Sequence, residues 1–411
     1  MLKLRVFRVS ASVGLVAVAY ACGQSSGATS GDGGTGASST RSGSNASTGS
    51  STHAGTTHGS TNTSPSSSSI IGQSSESSGA SSNASTTSGS GPTCAGFNAV
   101  GGLFQASEPW NTAVDSDPVS TSSDTIINWL SGAGGWGNGN KLQIDFSINM
   151  LCADATTPTQ TFTVTGGSCS PDCDSVTTFP VPPGGAVEGE TGYACTMGGD
   201  CHMLVVDVAT KQLWEMWQAF DPPSSTAFNT TSGAFVWDLT KPYPPNLRGD
   251  GCTSADAGGF PIAAMLFTAD EIAAGHIDHA IRFILPNARI EGGAVYVHPA
   301  SHTTSGPGGA SGAASAPPYG VHFRLKSTFD LTQLPTGAQV VGKALQKYGM
   351  FLADGGNIAL TAANDQFTTA KWTDADVNVG SHDLFPLQVT DFEVVDLGTL
   401  VTTGDSCVRN P

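Results

Sequence analysis

The stretch 23–92 contains almost nothing that can be buried, and this decides where a fold can form. It consists of Ser, Gly, Thr and Asn with three charges, Asp32, Arg41 and Glu76. A segment with so little apolar surface cannot offset the entropy of ordering itself, which confines any packed core to 93–411. As a flexible coil, 23–92 has a mean reach of about 45 Å and reads as a stalk. All seven Trp and eight of the nine Cys lie beyond it. His53 and His58 stand too far from other ligand types to form a metal site.

Ahead of the stalk, Lys3, Arg5 and Arg8 precede an apolar run, Val13 to Ala19, and the small-residue stretch Ala19-Tyr20-Ala21 before Cys22. This is the layout of a secretory signal over 1–21. The run falls short of the roughly 20 apolar residues that span a bilayer. Cys22 directly after small residues resembles a bacterial lipoprotein signal, which implies lipidation of Cys22 and membrane attachment; cleavage and secretion is the alternative. Gly23, where an aspartate would favour inner-membrane retention, points that resemblance to an outer-membrane or surface address.

The domain 93–411 carries 12 Lys and Arg against 31 Asp and Glu. Such a surface repels phosphate backbones and excludes nucleic acid as an expected partner; a neutral glycan or a cationic ligand is compatible with it. In an exported chain the even set Cys94, Cys152, Cys169, Cys173, Cys195, Cys201, Cys252 and Cys407 implies disulfides. Cys169/Cys173 and Cys195/Cys201 are spaced for local loops, and Cys94 with Cys407 would clamp the domain's ends.

Apolar periodicity predicts a mainly β domain of sandwich or jelly-roll type with a few short peripheral helices. Leu142, Ile144, Phe146 and Ile148 alternate with polar residues, Asp145 among them, over 141–150. Shorter strands are expected at 161–164, 234–239, 279–285, 293–298, 320–326, 350–353 and 391–395. The clearest unit is a hairpin, 202–208 with 212–220, placing Leu213, Glu215 and Trp217 on one face and Trp214, Met216 and Gln218 on the other. A turn of two or three residues would set His202 opposite Trp217 or Gln218. Helices are expected from Ser123 or Asp124 to Gly132, over 269–274 from the capping-box pattern Thr268-Ala-Asp-Glu271, and after Pro335.

Neither a GxSxG elbow nor a P-loop, HExxH or Rossmann glycine fingerprint occurs, so the chemistry left to the chain is that of carboxylates, histidines and aromatic rings. These concentrate between Asp250 and His302. Glu215 beside Trp217 has the layout of a sugar cleft, in which the indole covers the sugar's C–H face and the carboxylate takes a hydroxyl or proton. Asp256, in a small-residue loop tied down if Cys252 is bridged, is the second candidate carboxylate. His302, at the end of the strand 294–297, is a candidate base, and His202, Asp278, His279 and His298 are candidate substrate contacts. Strict alternation puts His279 on the core face with Ile277, Ile281 and Phe283, and leaves Asp278 and Arg282 to pair on the other. His298, His302 and His322 could approach a transition metal, but their spacing is a poor metal signature; no cofactor is expected.

Several motifs in order, Ala255-Asp256 with Gly258 and Pro261, Ile277-Asp278-His279-Ala280 with Arg282-Phe283, Pro299-Ala300 with His302, Arg324-Leu325-Lys326, and Lys347-Tyr348-Gly349-Met350 with Leu352-Ala353-Asp354, resemble an uncharacterised family of secreted microbial β-rich proteins. The resemblance runs from about Trp110 to Val395 and implies the β fold and the exported address. Cys201, Cys252 and Gln218 depart from it, standing where an arginine, a tryptophan and an acid are expected. The combined expectation is a surface-tethered, carbohydrate-active protein with glycoside hydrolase-like carboxylates at Glu215 and Asp256; a non-catalytic glycan-binding or adhesion module is the alternative.

Overall fold

A computed structural model describes residues 102–166, 169–220, 228–304, 314–396, 398–402 and 406–410. The expected signal and stalk segments, with Cys22 and Cys94, lie outside these residues. The fold is mainly β, sandwich-like, with few short helices.

The largest sheet has six strands, in spatial order Ile144–Ile148, Leu360–Ala363, Ile281–Leu285, Met350–Gly355, His322–Leu325 and Phe392–Val394. It is mixed: the first pair and the central pair Ile281–Leu285/Met350–Gly355 run parallel, the others antiparallel. A second sheet of four strands orders Met150–Ala153, Met203–Asp207, Gln212–Met216 and Phe235–Asp238. The alternating run around Ile144 therefore serves two sheets. The chain crosses between them at Asn149, whose buried amide is anchored by Nδ2–H donating to Val187 O at 3.1 Å. A third sheet joins Thr178–Pro180, Thr159–Val164, Phe228–Thr230 and Ala219–Phe220, and Val295–Val297 pairs with Leu400–Thr402.

The hairpin forms as its alternation dictates. Asp207 pairs with Gln212 and Met203 with Met216, so the paired ladder stops one position short of His202 and Trp217. Its two faces enter different cores. Leu204, Val206, Leu213, Phe235 and Trp237 join the main core with Phe260, Phe283 and Phe323. Met203, Val205 and Met216 pack with Leu151, Phe179 and Phe228 in a second. Glu215, by parity with Leu213, is thus carried into the main core.

Three helices appear where expected: Ser123–Gly132, Ala269–Ala274 and Thr336–Lys347. The Thr268/Glu271 capping box closes in both directions and Gly275 stops that helix at φ +83°. Disulfides join Cys169 to Cys173 and Cys195 to Cys201. Cys407 bonds Cys252, not Cys94, because Gly251 backs directly onto the C-terminal segment at Ser406. Cys152 is disulfide-bonded as well. Among the described residues no helix is long and apolar enough to cross a membrane.

Candidate functional site

Asp256 owes its position to a loop with little freedom. The Cys252–Cys407 bridge holds its start, Ser254 Oγ accepts from Asp256 N at 3.0 Å, and Gly258 N donates to Ala353 O at 2.7 Å. Gly259 sits at φ +82°, and a Cβ there would lie 2.1 Å from Ser301 Oγ. The turn delivers Asp256, fully buried, to Arg282 on the central strand of the large sheet, with Nη2–H donating to Oδ1 at 2.7 Å.

The same Arg282 nitrogen donates to Asp354 Oδ2 at 3.0 Å. Asp354 reaches it through a register shift between Phe283 and Ile284: Arg282 lies beside Phe351, but Ile284 lies beside Asp354. Without that irregularity Asp354 would fall on the opposite face of its strand. Arg282 Nη1–H donates to Thr361 Oγ1 at 3.0 Å, so the guanidinium is fixed from three strands or loops. Burial opposes its charge, but Asp256 and then Asp354 outweigh it and hold the guanidinium protonated. Burial, followed by the neighbouring Asp256 charge, pushes the Asp354 carboxyl upward.

Glu215 enters the same neighbourhood from the hairpin. It is wholly buried, with Trp237 Nε1–H donating to Oε2 and Ala263 N–H donating to Oε1, each at 3.0 Å. Burial pushes its carboxyl up to about 7, against the Ala263 hydrogen bond and aided by the charge of Asp256. His202 faces an acceptor with each ring nitrogen: Nδ1 lies 2.7 Å from Glu188 Oε2 and Nε2 3.1 Å from Ala255 O. Both nitrogens must then carry protons, so the geometry itself calls for an imidazolium. Burial works against that charge, but the Glu188 carboxylate and its hydrogen bond overcome it and push the imidazole up to about 9.

Two further acids feel this centre. Asp145 is raised by burial and then by the charge of Glu188, and Asp200 acts on both His202 and Asp354. Of this buried cluster the sequence pattern singles out Glu215, Asp256 and His202 as candidates, but not Arg282, Asp354, Glu188, Asp145 or Asp200. Asp145 was visible as the polar face of an alternating strand. Glu188 sits in a glycine-rich loop without periodicity, and Asp354 depends on a register shift that no local pattern encodes.

The other candidates resolve differently. Trp217 is 7% exposed and its Nε1–H donates to Asp200 Oδ1 at 3.0 Å, so it is a packed strut and presents no open stacking face. His279 is buried between Glu271 Oε1 at 3.1 Å and Ala280 O at 2.8 Å, a core histidine and not a substrate contact. Asp278 pairs with His276 at 2.8 Å instead of Arg282, because the strand begins only at Ile281 and alternation does not extend back to Asp278. His298 pairs with Asp250 at 2.8 Å, and His302 Nδ1 lies 2.8 Å from Ala257 O, against the loop that carries Asp256. His322 is buried, with Nε2 2.7 Å from Tyr348 O and its ring stacked on Phe351, and burial pushes it down to about 4. The three histidines form no ligand set. Among the described residues the one trio of ligand atoms at metal spacing is Glu190, Cys195 and Cys201, and its two sulfurs are spent on a disulfide.

Fold and centre together define a β-rich protein with a buried acid–base cluster built on one arginine. No protein-family model, curated protein or solved structure matches the chain.

Proposed function

We propose that this chain is a surface-displayed, carbohydrate-active protein of glycoside hydrolase-like chemistry, acting on extracellular polysaccharide. The observation that carries the reading is the pairing of Asp256 and Asp354 on Arg282, with buried Glu215 near enough to feel the charge of Asp256. Glycosidic cleavage needs one carboxyl that still holds a proton near neutral pH and another that is ionised, and unlike environments are how a fold separates the two. Glu215, pushed up to about 7 in its apolar pocket, is suited to give its proton to the leaving glycosidic oxygen. Asp256, held on Arg282, supplies the negative charge opposite the developing oxocarbenium centre. Stability alone is a poor reason to bury so many ionisable groups, since an apolar replacement for a buried ion pair is often neutral or stabilising.

The test is a polysaccharide panel assayed for binding and for reducing-end release. Wild type should release ends, and Glu215→Gln and Asp256→Asn should each lower the rate by about 10²- to 10⁴-fold while retaining binding. Complete burial of Glu215 and Asp256 favours a second reading, a non-catalytic glycan-binding module with the cluster as internal bracing. Binding without release by the wild type would select it. The address is proposed on the N-terminal signal: with lipidation at Cys22 the protein fractionates with the outer membrane, and Cys22→Ser releases it.

A further inference from the structure

Away from the buried centre, the turn that follows the strand His322–Leu325 is a ridge between two cavities open to solvent. One, of about 330 Å³, is lined by Arg324 and Ser327, by Lys343 and Lys347 of the helix Thr336–Lys347, and by Asp115 and Glu393. The other, of about 420 Å³, takes Lys326, Thr328 and Phe329 from the ridge and Asp330, Gln333 and Asp391 from beyond it. Both sizes fall in the range of ligand clefts, about 300–1,000 Å³. Adjoining residues of one turn line opposite cavities, so the two mouths are neighbours. The walls are set before any ligand arrives. Gln346 Nε2–H donates to Lys326 O at 3.1 Å and Phe329 O at 3.2 Å, which ties the helix to the ridge. Lys326 Nζ–H donates to Thr390 O and Arg324 Nε–H to Glu393 Oε1, each at 2.8 Å. The rims, by contrast, are uncommitted. Asp115, Ser327, Thr328, Gln333 and Lys343 are exposed, and their side chains make no hydrogen bond or ion pair with the described residues.

We infer that the two cavities are adjacent subsites of a surface groove for a neutral polysaccharide, with neighbouring sugar units held on either side of the ridge. This deepens the carbohydrate reading above and rests on it. Charge selects the ligand class. Four cations, Arg324, Lys326, Lys343 and Lys347, stand with four carboxylates, Asp115, Asp330, Asp391 and Glu393, in a domain where acids outnumber bases by 31 to 12. A face so balanced gathers neither an anion nor a cation, yet it presents donors and acceptors side by side. A sugar hydroxyl donates and accepts at once, and is matched by such a lining. Half-buried Phe329 and exposed Pro386 add apolar surface for the C–H face of a ring. Lys343 and Lys347, one helical turn apart, would suit the carboxylate of an acidic sugar, but Asp115 and Glu393 share their cavity and oppose it.

The experiment is affinity electrophoresis of the full chain in gels containing glucan, mannan, xylan or galactan as neutral polymers and polygalacturonate as the acidic one. At least one neutral polymer should retard the protein about tenfold more strongly than polygalacturonate, and added salt should leave that retardation unchanged. Ser327→Trp and Thr328→Trp each fill one cavity from the ridge and should weaken binding by about tenfold or more. Lys343→Ala and Gln333→Ala remove single contacts and should weaken it by about 3- to 10-fold. None of these four side chains is bonded within the described fold, so the urea midpoint should stay at the wild-type value; the two alanine variants keep the result readable if a tryptophan disturbs the turn. Undiminished binding of a neutral polymer by the folded variants overturns the inference and leaves the carbohydrate reading standing. A preference for polygalacturonate that salt abolishes also overturns it, in favour of an anion site. Failure of every polymer to be bound or cleaved removes both.

Discussion

At Glu215, packing and chemistry pull in opposite directions. The alternation of its strand drives it into the main core, where an ionised carboxylate is costly, and two donors only partly relieve it. A carboxyl whose folded pKa lies near 7 against an ordinary value of 4.5 binds more protons folded than unfolded. It therefore lends stability below about pH 4.5 that drains away as pH rises through 7, a loss on the order of 3 kcal/mol. Glu215→Gln, which mimics the protonated acid, should remove that loss. Urea denaturation between pH 5 and 8 should show the variant gaining on wild type as pH rises, and parallel curves would refute the assignment. Asp256→Asn differs in kind: it leaves Arg282 with Asp354 as its one carboxylate partner, and breaking a buried pair typically costs about 3–5 kcal/mol. A midpoint shift in denaturant at neutral pH reads this directly.

Among the elements, the loop that carries Asp256 should respond most sharply to backbone changes. Gly259 and Gly275 have nearly the same φ, +82° and +83°, but a Cβ on Gly275 meets nothing within 4 Å, whereas one on Gly259 runs into Ser301 Oγ. Alanine at Gly275 should cost only about 1 kcal/mol, the backbone penalty of a left-handed residue. Alanine at Gly259 should cost clearly more, since the loop must shift; equal costs would show that the loop gives way freely. The disulfides rank by the chain they close. Removing Cys252–Cys407, which spans 155 residues, should cost about 5 kcal/mol by chain entropy, and removing Cys195–Cys201 about 2 kcal/mol. What the sequence disclosed follows the same division between local and distant. The hairpin register, the Thr268/Glu271 cap and Glu215's face are consequences of period and spacing, and they were legible. The partner of Cys407, the pairing of Arg282 and the arrival of Asp354 depend on segments tens to more than a hundred residues apart, and on one irregular step between parallel strands. Trp217 misled for a related reason: strand parity shows which face it takes but not whether that face is covered.

For the molecule as a whole, these buried groups combine into a dependence of stability on pH whose sign can be worked out. His202, raised from 6.5 to about 9 once Glu188 overcomes the burial penalty, lends stability that is complete below pH 6.5 and lost as pH rises through 9. His279, raised beside Glu271, acts in the same sense. His322 acts oppositely, because burial depresses it to about 4; its contribution is present above pH 6.5 and disappears as pH falls through 4. Between about pH 4.5 and 6.5 the gain from His322 and the loss from Glu215 run against each other, each on the order of 3 kcal/mol, and Asp354 and Asp145, also raised by burial, add to the loss. Above 6.5 His322 adds nothing further, the contribution of His202 begins to decline, and Glu215 completes its own loss. The folded protein should therefore lose on the order of 3 kcal/mol or more between pH 6.5 and 9. Glu188→Gln removes the carboxylate that holds the His202 proton and should flatten most of the alkaline decline. Thermal or urea unfolding of wild type that is level from pH 6.5 to 9, or a decline unchanged in Glu188→Gln, would show that the His202–Glu188 pair does not carry this charge in the folded state.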